Sequence, residues 1–222
     1  LEAGADPQLV RGAVYTALTH NGSEKAQLLL RSGAPHNIQS AAIAGDIATI
    51  DALLEADPEC LTSRETNYEL MAAEEAAMAG QFATVRHLIS RGSPTTLIVW
   101  ASLGDVTQLT AGLDKDPGAV NRDYGTDADR LVHSAAANGQ ADAINLLVDR
   151  GAEIDATIDR ILWQGLADLA IVDLLIDHDA DPSKHIHACL RDGNTELAAH
   201  LIERGSQIHP RALVAVGRTH YN

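Results

Sequence analysis

The apolar positions of this chain recur in short stripes, each held between two punctuating residues. A turn residue at Asn21, Gly45, Gly80, Gly104, Gly139, Ala167 or Gly193 is followed 12 positions later by Gly33, Asp57, Gly92, Asp116, Gly151, Asp179 or Gly205. Counted from the turn residue, offsets +2, +5, +8 and +9 are apolar in Ile47/Ile50/Leu53/Leu54, Phe82/Val85/Leu88/Ile89, Ala141/Ile144/Leu147/Val148 and Leu169/Val172/Leu175/Ile176. That spacing draws one stripe down an amphipathic helix. No stretch sustains the alternation of a strand, so an all-α fold is expected.

Each of these helices has a programmed end. The closing residue is Gly or Asp, and Asp57-Pro58, Asp116-Pro117 and Asp181-Pro182 place a proline where the helix cannot continue. Arg91, Arg150 and Arg204 stand just before the closing glycine, where the negative end of a helix dipole favours a cation, and are read as structural. Ahead of each turn residue lies a shorter segment of small residues, as in Ser40-Ala41-Ala42-Ile43-Ala44, Glu75-Ala76-Ala77-Met78-Ala79 and Ser134-Ala135-Ala136-Ala137-Asn138. Such segments make partner helices that approach closely, so the unit is a helix pair.

These segments resemble the ankyrin repeat family, whose first helix opens on Thr-Pro-Leu-His and runs into Ala-Ala and Gly. Arg130-Leu131-Val132-His133 through Gly139 is the nearest match, and Gly151-Ala152-Glu153-Ile154-Asp155 is similar to the family's Gly-Ala-Asp-Val-Asn ending. The resemblance implies an ankyrin-like solenoid of about seven helix-turn-helix repeats in one domain spanning 1–222. Residues 1–7 end a preceding repeat. The repeats then run 8–36, 37–58, 59–94, 95–117, 118–155, 156–182 and 183–208, and 209–222 form a partial repeat or cap. Turn-to-turn spacings of 24, 35, 24, 35, 28 and 26, and finally 24 to Gly217, depart from the family period of about 33. Only the 35-residue copies have room for a full β-turn finger, at Thr62 to Met71 and Asn121 to Arg130.

Composition agrees with thin stacked layers. The chain is 45% hydrophobic but only 3% aromatic, so its core is built of Ala, Leu, Ile and Val, and an elongated stack suits that material. Sixteen basic against 31 acidic residues give a net charge of −15, which repels a phosphate backbone or an anionic membrane, so neither nucleic acid nor membrane is expected as a partner. Cys60 and Cys189 form no CxxC pair, and a reducing, cytoplasmic location is expected. The expected state is a monomer without cofactor.

Candidate chemistry is sparse. No HExxH, P-loop, GxSxG or GxGxxG pattern occurs. Asp177, His178, Asp179, Asp181, His185 and His187 make the richest cluster of possible metal ligands, yet Asp179 closes a helix, Asp181 precedes a helix-stopping proline and His187 aligns with the family's first-helix histidine. No metal is assigned. His133 aligns with that same structural histidine, while His36, His87, His178, His200 and His209 fall on expected helix ends or loops. Glu74 and Glu75 are adjacent helical residues pointing about 100° apart, which suits two solvated charges better than one acid/base pair. Trp100 and Trp163 occupy inward positions where the family prefers alanine. They are core residues, or they push a neighbouring helix aside to open a pocket.

The resemblance implies that the first helices line a concave surface, exposed five, two and one residues before each turn. The expected partner-binding residues are Ile43, Glu75, Met78, Val99, Leu103, Asn138, Leu162, Leu166 and Arg191. Their apolar members mark an interaction surface for a peptide or protein, basic in character around an apolar anchor. The alternatives are an enzyme or metal-dependent protein with a His/Asp/Glu site built on the same stack, and a structural spacer in a longer chain.

Overall fold

A computed structural model describes residues 37–64, 69–124, 130–163, 168–191 and 193–206, with Leu162, Trp163, His187 and Arg191 defined by their backbone alone. The expected repeat at 8–36, the end pieces 1–7 and 209–222, and the residues Asn21, His36, Leu166, Ala167 and His209 lie outside the described residues.

The fold is all-α. Twelve α-helices make up the described residues: α1 (Ile38–Ala44), α2 (Ile47–Ala56), α3 (Ala72–Met78), α4 (Phe82–Ser90), α5 (Leu97–Leu103), α6 (Val106–Lys115), α7 (Leu131–Ala137), α8 (Ala141–Asp149), α9 (Thr157–Trp163), α10 (Leu169–Asp177), α11 (Ile186–Arg191) and α12 (Thr195–Glu203). Odd-numbered helices are the short ones. Among the described residues the only β-pairing is a single antiparallel bridge, Arg64 to Met71, at the base of the first expected finger. No described helix is long and apolar enough to cross a membrane.

The punctuation works through backbone sign. Gly45, Gly80, Gly104, Gly139 and Gly193 hold φ between 68° and 75°, a left-handed conformation that lets the chain leave a short helix and enter a long one without a Cβ penalty. Gly92, Gly151, Gly205 and Asp179 close long helices with φ of 97°, 85°, 99° and 70°. Asp57 and Asp116 do something else. They lie at φ −148° and −140°, because α2 and α6 run one residue longer than α4, α8, α10 and α12. Each then starts a 3-10 turn with proline at its head, Pro58–Thr62 and Pro117–Asn121, and Asp57 Oδ1 accepts the Glu59 N–H at 3.1 Å.

The start of the short helices follows one rule with three different side chains. Three residues into α1, α3 and α7, an acceptor reaches back to the backbone N–H that precedes the helix. Ser40 Oγ accepts from Asn37 at 3.1 Å, Glu74 Oε2 from Met71 at 2.8 Å, and His133 Nδ1 from Arg130 at 3.0 Å. Each satisfies a helix-start amide that has no partner within its helix. His133 is therefore structural, as its position implied. Glu74 and Glu75 are not solvated charges: both are buried, and Glu74 is held by its capping bond and an ion pair to Arg64.

The chain divides into two compact units, Leu1–Ala152 and Glu153–Asn222. Within the first, α1, α3, α5 and α7 pack in sequence against one another, and each packs on its own long helix, α2, α4, α6 or α8. Part of the predicted stripe forms this core, with Ile50, Val85, Leu88, Leu109, Leu113, Ile144 and Leu147 wholly or almost wholly buried, whereas the stripe positions two after the turn stay outside it, Phe82 and Ala141 being exposed. Ala41, Ala42, Ala72, Ala73, Ala76, Ala77 and Ala135 are also inaccessible, and their small size permits the close approach. In the second unit α11 packs on α9 and α12, around Ile158, Ile161, Val172, Leu175, Ile186 and Leu201.

Candidate partner-binding surface

The short helices of the first unit end side by side, so the residues just before their turns form a row. The row does not expose what the family resemblance implied. Ile43, Glu75, Met78 and Val99 are only 4%, 3%, 5% and 0% exposed, and belong to the interior of the unit. Ala44, Ala79, Leu103 and Asn138, each directly before the turn, are half-buried. Of the other expected site residues, Leu162 and Arg191 are placed on α9 and α11 by backbone only, and Leu166 lies outside the described residues.

The burial has an identifiable cause. Helix α3 touches α7 as well as α5, although α5 lies between them in sequence. Asn138 Nδ2 donates to Ala77 O at the end of α3 at 2.7 Å and to Ser134 O of its own helix at 2.8 Å. Ser134 Oγ donates to Ile98 O of α5 at 3.0 Å. The inner faces of three short helices thus close on one another, and Glu75, Met78, Val99, Ser102 and Ser134, at positions five and two before their turns, go inside, while Ala137 stays half-buried.

The turns themselves are interlocked. Gln81, following Gly80, rests on Gly45 one repeat earlier, where an added Cβ would come 2.8 Å from Gln81 Oε1. Gln140, following Gly139, rests on Gly104 in the same way. Where the residue after the turn is Asp46, Asp105 or Asn194, its side chain instead caps the long helix, accepting from Thr49, Gln108 or Leu197 at 3.0, 3.0 and 3.1 Å.

Trp100 is accommodated by its partner helix. Gly112 on α6 has no side chain, and a Cβ there would lie 2.5 Å from Leu97 Cδ2 and 3.3 Å from Trp100 Cζ3. A missing methyl on α6 makes room for the ring on α5, which is half-buried.

Three ionisable groups of the suspected metal cluster are each engaged by a separate partner. Arg204 pairs with Asp177, Asp181 Oδ1 accepts the Ser183 N–H at 2.9 Å, and His185 Nδ1 lies 2.8 Å from Asp159 Oδ1. Lys184 donates to Asp155 Oδ2 at 2.7 Å, and that bond holds its ammonium above the usual lysine range. Among the described residues no three His, Cys, Asp or Glu side chains come together in a geometry that could hold a metal. His87 and His200 lie in the last turns of α4 and α12, at the helix ends where they were expected, and each faces an aspartate of the preceding long helix, Asp51 at 2.9 Å and Asp173 at 2.8 Å. Arg91 pairs with Asp51, Arg204 with Asp173 and Asp177, and Arg150 with Asp114 at 2.9 Å. The three arginines are structural, but as ties between successive long helices rather than only as dipole partners.

No family model and no curated protein matches the chain. Among solved structures it is similar to the human ASB11 ankyrin repeat domain. That match covers 75% of this chain and 83% of the other at 16% identity, with a TM-score of 0.32. Locally, the left-handed glycines, the His133 cap and the paired helices are features this chain presents by itself.

Proposed function

We propose that this chain is a protein-interaction module that holds a partner along the turn ends of its short helices. Leu103 carries the reading: it is the large apolar side chain left only half-buried in the row, between Ala79 and Asn138, and its turn is held by the contact of Gln140 with Gly104. A rigid row loses little conformational freedom on binding. Covering an apolar side chain is worth about 25 cal/mol per Å² of area removed from water.

The partner is a protein segment with an apolar anchor and basic flanks. The net charge of −15 attracts such a segment and speeds encounter. Ile43, Glu75, Met78 and Val99 support the row from beneath, while Leu162, Leu166 and Arg191 are proposed for the short helices of the second unit. The module acts in the cytoplasm, as a monomer, on this reading.

The test is affinity capture on immobilised wild-type protein and Leu103→Asp, with circular dichroism as the folding control. Loss of a captured protein from the variant supports the reading. Capture of the same proteins by a folded Leu103→Asp removes the row from consideration.

A further inference from the structure

Asn138 makes a contact that the other short-helix ends of the first unit do not offer. The corresponding residues before the turns are Ala44, Ala79 and Leu103, which have no side-chain donor. Both hydrogens of its carboxamide nitrogen are used: one holds Ser134 O on its own helix, which fixes the side chain, and the other crosses to Ala77 O on α3. Both neighbours are carbonyl oxygens, so the nitrogen must face them. Helices α3 and α7 are thereby joined past α5.

The join has a built-in cost. Asn138 Oδ1 is buried with no hydrogen-bond partner among the described residues, and an unmade bond of this kind destabilises the closed arrangement. Separation of α3 from α7 would return that oxygen to water while losing the bond to Ala77. Closing and opening therefore have opposing local terms, the condition for a contact that can yield without unfolding the helices around it. Glu75, Met78 and Val99 lie on the helices so closed and are buried.

We propose that Asn138 is a conformational latch: its bond to Ala77 keeps the inner face of the first unit shut, and its release uncovers the end of α3 at Met78. The proposal goes beyond the partner-binding reading and does not depend on it.

The chain supplies its own probe and its own control. It has two methionines, Met71 and Met78, both buried and set at opposite ends of α3, about 10 Å apart at the helical rise. Full-length wild type, Asn138→Ala and Asn138→Asp are exposed to hydrogen peroxide and the oxidation of each methionine is followed by mass spectrometry. Asn138→Asp keeps the side-chain shape but turns an acceptor toward the Ala77 carbonyl. Met78 is expected to oxidise several-fold faster in both variants, with Met71 at its wild-type rate. An unchanged Met78 rate in either variant overturns the latch. So does a common rise at both methionines, which reports general loosening of the unit.

Discussion

His87 Nε2 on α4 stands 2.9 Å from Asp51 Oδ1 on α2, and Arg91, four residues on and capping the C-terminus of α4, pairs with the same carboxylate. Residues four apart share a helix face, so a histidine and an arginine can grip one aspartate of the neighbouring helix together. The arrangement returns in the second unit, where His200 on α12 and Arg204 at the helix's C-terminal cap hold Asp173 on α10 at 2.8 and 3.0 Å.

Asp51→Ala should cost about 1 kcal/mol, because the pair is partly exposed and such pairs contribute modestly. The loss should shrink in high salt, which screens the wild-type attraction. Urea titration at two ionic strengths measures both. A cost indifferent to salt would mean that Asp51 acts through packing.

Gly112→Ala sets two effects against each other. Alanine in a helix interior gains about 1 kcal/mol over glycine, but here its Cβ would fall 2.5 Å from Leu97 Cδ2. Overpacking of this kind costs about 1–3 kcal/mol, so the substitution should destabilise. In a Leu97→Ala background the same change should become neutral or stabilising. Thermal unfolding of the four proteins decides it, and a gain in the wild-type background would show that Leu97 moves aside freely.

Ser93 and Ser206 follow the closing glycines Gly92 and Gly205, at the position that Ala152 and Ala180 fill in sister repeats. Both hydroxyls are buried without a hydrogen-bond partner among the described residues. Ser93→Ala and Ser206→Ala should each stabilise by about 1 kcal/mol, since an unmet buried hydroxyl costs that much or more. A loss of stability in denaturant titration would reveal a partner for the hydroxyl.

Burial, and after it the nearby Asp57 carboxylate, raises the Cys60 thiol above its ordinary value. A raised value means less thiolate at any given pH, and the thiolate is the reactive form. Alkylation of Cys60 by iodoacetamide at pH 8 should therefore be slower than that of a free thiol, and its rate should climb at higher pH. Asp57→Asn should move the profile part of the way back. Reaction at the free-thiol rate would place Cys60 in open solvent.

Much of this fold is legible in the chain because it is local. The 12-residue interval, the left-handed glycines and the apolar stripe each concern one helix and its ends. What the periodicity could not show is contact between helices of different repeats. The family resemblance implied that Met78 and Val99 face the surface, whereas both are buried in this chain, and the α3–α7 contact beside Met78 joins residues some sixty positions apart, Ala77 and Asn138. The capping role of Glu74 was hidden for another reason: carboxylate, hydroxyl and imidazole accept the same N–H, so function was kept while the letter changed. Gly112 opposite Trp100 is the one compensation that sequence could have exposed, as a glycine inside a predicted helix beside an outsized neighbour.

The interlocked turns bear on how such a chain can be rearranged. Gly45 is shaped for Gln81 and Gly104 for Gln140, while Asp51 answers His87 and Arg91. Repeats 37–58 and 95–117 thus each carry half of a lock whose key is cut on the successor. Simple duplication of the segment 59–94 would set Gln81 of the second copy against Gly80 of the first instead of Gly45, so the repeats form an ordered series whose members are not interchangeable. Any engineered extension must graft neighbours in pairs, cut within a helix pair's own core and never at the turn.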